Sequence, residues 1–351
     1  MPKSFESGAL ARQKLSLGLL QSVRLVGEYR GKEELFQQQS PQLLQALRDS
    51  AVIHSTESSN RIEGVVAPPQ RVRDLVAKRA EPANRSEQEI AGYREVLNTV
   101  HTNFAEMPPT ANLVLQLHRD LFQFVPRGGG RWKSSDNDIT EVRPDGTTRV
   151  RFKPLAAHLV PDAMAQLHDR YRAAVDLGAA DPLLLVPAYV LDFLCIHPFA
   201  DGNGRMARLL SLLLLYQAGY QVGRYISLET AIEDTKEGYY EALYSSSQGW
   251  HEERHSLLPW WEYFVGVMLT KAYGQFEERV GVTTARRGAK RDMIRDTVHR
   301  LPSRFRYADL QRALPAVSRP TIARALRELR LEGAIRCAKP GRDAMWEKTP
   351  R

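Results

Sequence analysis

The sequence predicts a mainly helical protein that carries one β-hairpin near its middle and a small basic domain at its C-terminal end. Apolar residues recur at helical spacing along most of residues 13–280. A strong turn signal, Pro144-Asp145-Gly146, lies between two runs of strand-forming residues. Residues 285–351 carry 18 Lys and Arg against 7 Asp and Glu, whereas the rest of the chain carries 31 against 34. The 351 residues are enough for two or three domains.

The composition is that of an ordinary soluble protein, with 43% hydrophobic and 26% charged residues. Two cysteines cannot form a disulfide framework in a chain of this length, which favours a reducing compartment. The first residues lack the apolar run of a signal peptide, and no run of eighteen apolar residues occurs. We therefore expect a cytoplasmic protein without a membrane span.

The N-terminal region, which we place at residues 1–95, is predicted to be helical. Pro41 opens one helix, and Gly64 is suited to ending it. Ser86 and Glu89 have the spacing of a capping box at the start of a later helix. The predicted helices of this region cover residues 13–29, 41–63, 70–78 and 86–104.

The central region, residues 96–281, is predicted to contain six helices and the hairpin. Its strands should cover residues 139–142 and 147–152, on either side of the turn signal. The predicted helices cover residues 111–122, 158–176, 182–196, the apolar run that ends at residue 217, 229–244 and 257–280.

The stretch from residue 197 to residue 208, His-Pro-Phe-Ala-Asp-Gly-Asn-Gly-Arg-Met-Ala-Arg, reads as a glycine-bearing loop that enters a buried helix. Such a junction offers free N–H groups and a positive dipole end to an anion. Arg205 and Arg208 are three residues apart, so they share a helix face. Asp201 is a hard oxygen ligand suited to Mg²⁺, and His197 can accept a proton near neutral pH.

These residue types together point to transfer of a phosphorus-containing group to an alcohol. The stretch is not a Walker P-loop, because it lacks Gly-Lys-Ser/Thr and follows an apolar run long enough for a helix. The alternative is an ordinary helix–loop–helix turn with a surface histidine and two arginines.

The stretch resembles the signature of the Fic family, His-Pro-Phe-x-Asp/Glu-Gly-Asn-Gly-Arg-x-x-Arg, and matches every fixed position. The resemblance implies a Fic-type helical bundle and an enzyme that transfers AMP from ATP to a Ser, Thr or Tyr hydroxyl of a protein. It also implies a role for each residue: His197 as the general base, Asp201 as the Mg²⁺ ligand, Gly202, Asn203 and Gly204 as the lining of the phosphate site, Arg205 and Arg208 as the holders of the β- and γ-phosphates, and Phe199 as an anchor in the core.

A second resemblance lies at the end of the helix that Pro41 opens. Ser59-x-x-x-Glu63-Gly64 is similar to the inhibitory helix motif of the same family. A carboxylate that pairs with Arg208 would take the place that the γ-phosphate of ATP needs. The alternative is a helix end with a surface glutamate.

The family also implies roles for the hairpin and for a pair of tyrosines. Its flap strand, here Arg149, Val150, Arg151 and Phe152, would dock the target by strand pairing, although any surface hairpin would read the same. Tyr239 and Tyr240 would border the adenine, although two tyrosines on a helix can also be plain packing. Several family members have an asparagine where this chain has Ser247, which leaves that contact to the adenine open.

The tail is predicted to form a winged helix-turn-helix domain over residues 290–351, after a linker at residues 282–289. Its predicted elements are helices at 290–301, 307–313 and 319–331 and strands at 334–338 and 345–348. Many Fic proteins carry a similar tail. Four arginines of the third helix lie largely outside its apolar face, which is compatible with DNA binding. Dimerisation or docking of a target protein are the alternatives.

We therefore expect an autoinhibited protein adenylyltransferase that uses ATP and Mg²⁺, acts on a protein substrate and modifies itself as a secondary activity. One competing interpretation is a nucleotide-sensing transcriptional regulator that binds DNA. Another is a Fic enzyme that uses another nucleotide, transfers phosphocholine or removes AMP. A homo-oligomeric form stays open.

Overall fold

The computed structural model describes residues 2–39, 41–126, 128–142, 147–285, 289–314, 317–339 and 344–349. The chain divides into two compact units. The first comprises Met1–Arg30 and Leu47–Gly274, and the second comprises Gly31–Ala46 and Gln275–Arg351. The four-part division expected from the sequence stays a prediction.

Helices dominate the first unit, as the sequence predicts. They are α1 (Leu17–Gln39), which continues into the second unit, α2 (Pro41–Ile62), which begins in the second unit, α3 (Pro69–Val76), α4 (Arg85–Asn103), α5 (Ala111–Leu121), α6 (Val160–Asp176), α7 (Pro182–Ile196), α8 (Asn203–Gln217), α9 (Leu228–Asp234), α10 (Lys236–Ser247) and α11 (Leu258–Trp261). A π-helical segment, Glu262–Leu269, joins α11 to α12 (Thr270–Ala285), which ends in the second unit. Residues 282–285, expected to begin a linker, are therefore helical.

The core of the first unit is centred on α7 and α8. All residues of α7 from Leu185 to Phe193 are buried, and so are all residues of α8 from Arg205 to Tyr216. Helices that are apolar on every side belong in the interior of a protein, because no face of them gains from contact with water. The Asp181 carboxylate caps α7 by accepting a hydrogen bond from the Leu183 N–H at 2.8 Å. The two helices fix both ends of the loop between them.

The predicted hairpin is confirmed. Strands β1 (Ile139–Val142) and β2 (Thr148–Phe152) are antiparallel, with Thr140 opposite Val150. The predicted turn at residues 144–146 lies outside the described residues.

The second unit contains the predicted helices and strands of the tail together with one additional strand. Its elements are α13 (Ala289–Arg300), β3 (Arg304–Arg306), α14 (Tyr307–Ala313), α15 (Arg319–Leu331), β4 (Ile335–Lys339) and β5 (Met345–Lys348). The strands form an antiparallel sheet in the order β3-β5-β4. Strand β3 was not predicted, because three residues are too few to show alternation. The winged helix-turn-helix assignment stays a prediction.

Two further details of the prediction were wrong. The helix expected at 229–244 is interrupted at Thr235, whose backbone is not helical and whose hydroxyl donates to the Ala231 carbonyl at 2.7 Å. The N-cap of α4 is Asn84, which accepts a hydrogen bond from the Glu87 N–H at 3.0 Å, instead of Ser86. The predicted capping box of Ser86 and Glu89 therefore does not form.

The described helices include none with the length and apolar character that crossing a membrane requires.

Candidate active site

The loop between α7 and α8 turns on two residues with left-handed backbone conformations. His197 ends α7 with φ 52° and ψ 61°, and Gly202 has φ 82° immediately before α8 begins. A positive φ is unfavourable for a residue with a side chain, so the surrounding structure must hold His197 in place. One such restraint is the His197 N–H, which donates to the Phe193 carbonyl at 2.9 Å.

The side chain of Asn203 closes this loop. Its amide nitrogen donates to the Phe199 carbonyl at 2.7 Å, and its amide oxygen accepts from the Phe199 N–H at 2.9 Å. Both polar ends of the buried side chain are thereby used. Asn203 is also the first residue of α8. The backbone N–H groups in the first turn of a helix have no carbonyl partner within the helix, so the N–H of Asn203 is suited to binding an anion.

His118 supports the loop from below. Its ring stacks on Phe199 with 3.6 Å between ring centroids and an interplanar angle of 2°. The Gly130 N–H donates to Nδ1 at 2.8 Å, so Nε2 carries the proton and donates to the Asp201 carbonyl at 3.0 Å. Burial lowers the pKa of His118 to about 4, which keeps the ring neutral. These contacts hold the loop in place, so the role of His118 is structural.

His197 is held in its neutral form at pH 7. Burial, followed by the charge of Lys133, lowers the pKa of His197 to about 4. Lys133 is itself buried, and its ammonium group donates to Asn137 Oδ1 at 2.9 Å. Nδ1 of His197 lies 3.4 Å from the Leu194 carbonyl. If Nδ1 carries the proton, the lone pair on Nε2 can accept one from a substrate.

Arg208 is buried and is bound by the end of α2. Its Nε donates to Ser59 Oγ at 2.8 Å, and its Nη2 donates to the Ser59 carbonyl at 2.9 Å and to Glu63 Oε1 at 2.8 Å. Burial raises the pKa of Glu63, but the charge and hydrogen bond of Arg208 outweigh burial and leave that pKa below its ordinary value. Glu63 is therefore ionised and paired.

Gly64 determines where Glu63 points, because α2 ends in a Schellman motif. Gly64 has φ 78°, and its N–H donates to the Arg61 carbonyl at 3.0 Å. The Val65 N–H donates to the Asn60 carbonyl at 2.9 Å. A helix end capped in this way holds the last side chains in a fixed direction.

Arg205 has different partners from Arg208. Its Nη1 donates to Glu89 Oε2 at 2.6 Å, and its guanidinium carbon lies 5.1 Å from the centre of the Phe122 ring. The side chain is buried beneath the loop. The two arginines predicted to act together are thus held by two different glutamates.

A pocket of about 640 Å³ opens above this loop. Arg208, His197, Gly204 and Glu63 lie at one end. The rest of its lining comes from α7, α10 and the hairpin: Ile139, Thr140, Arg151, Phe152, Leu191, Leu194, Cys195, Lys236, Tyr239, Tyr240, Leu243, Tyr244 and Ser247. Eight of the predicted site residues therefore line this cavity, whereas Asp201 lines a separate one.

The hairpin is joined to α10 through its arginines. Arg149 Nη2 donates to the Tyr244 hydroxyl at 3.1 Å, and Arg151 Nη2 donates to the Tyr240 carbonyl at 2.9 Å. Arg151 also lies over the Tyr244 ring, 5.1 Å from its centroid. Of the four predicted flap residues, Arg151 and Phe152 line the pocket, whereas Arg149 and Val150 are exposed.

Asp201 is the carboxylate that fits a metal ion. Its side chain is 59% exposed, and Oδ1 accepts the Gly202 N–H at 2.6 Å. No cluster of three or more His, Cys, Asp or Glu occurs in the part of the chain that the structure describes. Mg²⁺ is commonly held by one or two carboxylates together with substrate phosphates, so one exposed carboxylate beside an anion site suits it.

Two residues of the site, Glu89 and Lys133, were not predicted. Glu89 was assigned to a capping box, and Lys133 lies in an irregular segment without a periodic signal. The charge of Arg205 would have indicated that a buried carboxylate, here Glu89, must pair with it. Arg205 belongs to a helix with apolar residues all around it, so its charge is buried and requires a carboxylate.

The fold and the site define a class of helical domain in which an anion-binding loop leads into a buried helix. The chain contains a domain of the Fic/DOC family, whose family model matches residues 108–215.

Three curated proteins are similar to parts of this chain. "Protein adenylyltransferase Fic" of Nematostella vectensis is 27% identical over 176 residues, which are 46% of this chain and 37% of that protein. "Protein adenylyltransferase fic-1" of Caenorhabditis briggsae is 30% identical over 115 residues, 32% of this chain and 21% of that protein. A Fido domain-containing protein of Dictyostelium discoideum is 32% identical over 66 residues, 19% of this chain and 46% of that protein. The matches therefore span less than half the length of each relative.

Solved structures share the fold. A Fic family protein from Desulfovibrio desulfuricans, 22% identical, matches with a TM-score of 0.61 over 96% of this chain and 98% of its own. A Fic domain-containing signaling protein from Bacteroides thetaiotaomicron, 20% identical, gives 0.60 over 74% and 97%. Fic-1 from C. elegans, 19% identical, gives 0.57 over 75% and 72%. The predicted Fic-type helical fold is confirmed.

Gly204 leaves the space that the Glu63 carboxylate occupies, and this gives a test of the Glu63–Arg208 pair. A Cβ at position 204 would lie 2.1 Å from Glu63 Oε1. We expect Gly204→Ala to lower the free energy of unfolding of the wild type. In a Glu63→Ala background this cost should largely disappear, because the remaining close contact is the flexible end of Arg208 at 3.3 Å and alanine favours helix over glycine by up to about 1 kcal/mol. Urea unfolding should give a coupling free energy of about 1 kcal/mol or more.

Gly238→Ala is the matched control for this test. Gly238 is an exposed helical glycine, and a Cβ there would make only ordinary contact with Tyr263. Its effect should be the same in both backgrounds. Equal effects of Gly204→Ala in the two backgrounds would show that Glu63 does not occupy this space.

Proposed function

We propose that this protein is an autoinhibited protein adenylyltransferase that transfers AMP from ATP to a Ser, Thr or Tyr hydroxyl of a protein, its own chain included. One observation carries the proposal: Glu63 is paired with Arg208 inside the pocket that also contains His197 and the start of α8. The two relatives named as adenylyltransferases support the reaction class. The cytoplasmic location and a homo-oligomeric form stay predictions.

The chemistry follows from the neutral His197. The target hydroxyl attacks the α-phosphorus of ATP and passes its proton to the free ring nitrogen of His197. A new P–O bond forms, the bond between the α-phosphorus and the bridging oxygen breaks, and pyrophosphate leaves. The backbone N–H groups of Asn203 and Gly204, at the positive end of α8, are proposed to face the phosphates, whereas the Gly202 N–H already donates to Asp201 Oδ1. Mg²⁺, held by Asp201, would offset the negative charge on the phosphates.

Inhibition follows from the position of Glu63. While its carboxylate is bound to Arg208, a γ-phosphate cannot reach that guanidinium group without bringing two negative charges together. Arg205 is proposed to act on the phosphates less directly, because Glu89 already binds it. ATP is therefore excluded or held unproductively until Glu63 leaves.

The hairpin suits a role in target docking. In the part of the chain that the structure describes, β1 and β2 form a two-stranded sheet, so each has one edge without a neighbouring strand. An extended target segment can pair with such an edge through its backbone. Tyr239 and Tyr240 line the pocket and are proposed to contact the adenine.

Glu63→Ala should raise AMP transfer by about tenfold or more, since a charged hydrogen bond contributes roughly 1.5–3 kcal/mol. The measurement is labelling of protein by ATP carrying ³²P at the α-phosphate, with Mg²⁺. Glu57→Ala is the matched control, because Glu57 lies on the same helix and pairs with Arg61 instead of Arg208. Adding His197→Ala should abolish the label while ATP still binds in calorimetry. Equal labelling by the wild type and Glu63→Ala would refute autoinhibition.

The pH profile tests His197 as the base. The neutral ring is the active form, and its pKa is about 4 when Glu63 is present. Because the Glu63 charge raises this pKa, Glu63→Ala should lower it further, and its labelling rate should be flat near pH 7 and fall only below about pH 4. Lys133→Met removes a positive charge that lowers this pKa, so it should move the fall to higher pH. Exposed Lys78→Met serves as the control and should leave the profile unchanged. A profile that Lys133→Met does not move would argue against His197.

A second function, DNA binding, is favoured by the surface of α15. Its arginines at 319, 324, 327 and 330 are exposed, whereas Ile322, Leu326 and Leu329 are buried in the core of the second unit. We propose that residues 290–351 of this unit form a winged helix-turn-helix domain whose third helix contacts the DNA backbone. The protein would then join nucleotide transfer or sensing to DNA binding.

The double variant Arg324→Ala/Arg327→Ala should weaken binding of the full chain to a fluorescent DNA duplex. The slope of log K against log salt should decrease by about two, one for each lost phosphate contact. The control, Arg24→Ala/Arg172→Ala, removes two exposed arginines of the first unit and should change nothing. Equal anisotropy titrations for the two double variants would rule out α15 as the DNA-binding helix.

A further inference from the structure

Four side chains beside the loop alternate in charge and form a closed ring. Glu89 Oε2 lies 2.6 Å from Arg205 Nη1, and Glu89 Oε1 lies 2.9 Å from Arg85 Nε. Asp201 Oδ1 lies 3.6 Å from Arg205 Nη2, and Asp201 Oδ2 lies 3.8 Å from Arg85 Nη2. Each carboxylate therefore spans both arginines, one with each oxygen. This ring has no net charge.

The contacts in the ring are unequal. Those to Glu89 have hydrogen-bond lengths, whereas those to Asp201 are too long for direct hydrogen bonds. The side chains also differ in burial. Glu89 and Arg205 are 5% and 2% exposed, whereas Asp201 is 59% exposed. Both arginines thus bind the buried carboxylate closely and leave the exposed one at a distance.

Glu89 is ionised in this setting. Burial raises the pKa of Glu89, but the hydrogen bond from Arg85 and the charge of Arg205 outweigh burial, and the pKa lies below its ordinary value. A buried guanidinium group needs an anionic partner, so Arg205 would turn to another carboxylate if Glu89 lost its charge. Asp201, also in the ring, is within reach, with Oδ1 at 3.6 Å from Arg205 Nη2.

We propose that Glu89 is a positioning residue for the metal-binding carboxylate, an inference that rests on the proposed nucleotide-transfer function. Glu89 holds Arg205 and Arg85 back and leaves the oxygens of Asp201 open to the divalent cation that accompanies ATP. Without the charge of Glu89, both arginines would close on Asp201 and compete with the cation. Arg85 has the opposite influence, because it is an exposed cation that lies near the same oxygens.

The alternative is that Glu89 only neutralises buried Arg205 and stabilises the fold. The two roles differ in their dependence on metal. A structural role affects nucleotide binding equally with and without a divalent cation, whereas competition for Asp201 affects the metal-bound form alone. Binding of Mn²⁺, a paramagnetic substitute for Mg²⁺, reports this difference without requiring catalysis.

The experiment titrates Mn²⁺ into the full chain carrying Glu63→Ala, with a non-hydrolysable ATP analogue, and follows free Mn²⁺ by electron paramagnetic resonance. Calorimetry with EDTA gives the affinity for the analogue without metal. Glu89→Gln should weaken Mn²⁺ binding about tenfold and leave the metal-free affinity unchanged or higher. Arg85→Gln should leave Mn²⁺ binding unchanged or tighter, and adding it to Glu89→Gln should restore part of the loss.

Glu87→Gln is the matched control. Glu87 is also a buried glutamate near the start of α4, but it pairs with Arg71 instead of the ring. It should leave Mn²⁺ binding unchanged. If Glu89→Gln does not fold, Glu89→Asp keeps the charge but withdraws it from the arginines, and should weaken Mn²⁺ binding by a smaller factor.

Three results would overturn the inference. The first is an equal loss of nucleotide affinity with and without metal in the Glu89 variant. The second is weaker Mn²⁺ binding in Arg85→Gln, and the third is unchanged Mn²⁺ binding in Glu89→Gln or Glu89→Asp. If the Glu63→Ala chain itself binds no ATP analogue, the proposed function fails and this inference fails with it. If that chain binds the analogue and one of the three results above is obtained, only this inference fails.

Discussion

The site depends on the burial of two arginines at the start of one helix. A guanidinium group without water must be matched by a carboxylate, because an unpaired buried charge costs several kcal/mol. Arg205 and Arg208 of α8 are both buried, and each is matched by a glutamate from a distant part of the chain, Glu89 or Glu63. The start of α8 is thus tied to α4 and to the end of α2 by these two ion pairs.

The two pairs have different consequences because their glutamates lie in different places. Glu89 is in the first turns of α4 and is almost fully buried, so its pairing with Arg205 belongs to the folded framework. Glu63 follows the last residue of α2, and its side chain is about one third exposed. One helix thus carries one ion pair that is almost fully buried and one that is partly exposed at the pocket.

Much of this could be predicted, and the omissions have a common physical cause. Residues 197–208, helices α7 and α8 and the hairpin depend on local patterns, which a sequence displays. Glu89 and Lys133 act through partners that are remote in sequence, so no spacing indicates them. The break at Thr235 and the short β3 were missed because a single residue or a three-residue strand carries too little periodic signal. The cap at Asn84 was missed because a competing signal lay two residues further on.

The residue that stops α7 is also the one whose ring faces the pocket. His197 adopts its left-handed backbone conformation at the point where the helical hydrogen bonds end. The direction of the imidazole therefore depends on the length of α7. A helix one residue longer or shorter would rotate the ring by about 100° around the helix axis. Insertions and deletions in α7 should accordingly be far less tolerable than substitutions of its apolar side chains, although both leave the residues of the loop unchanged.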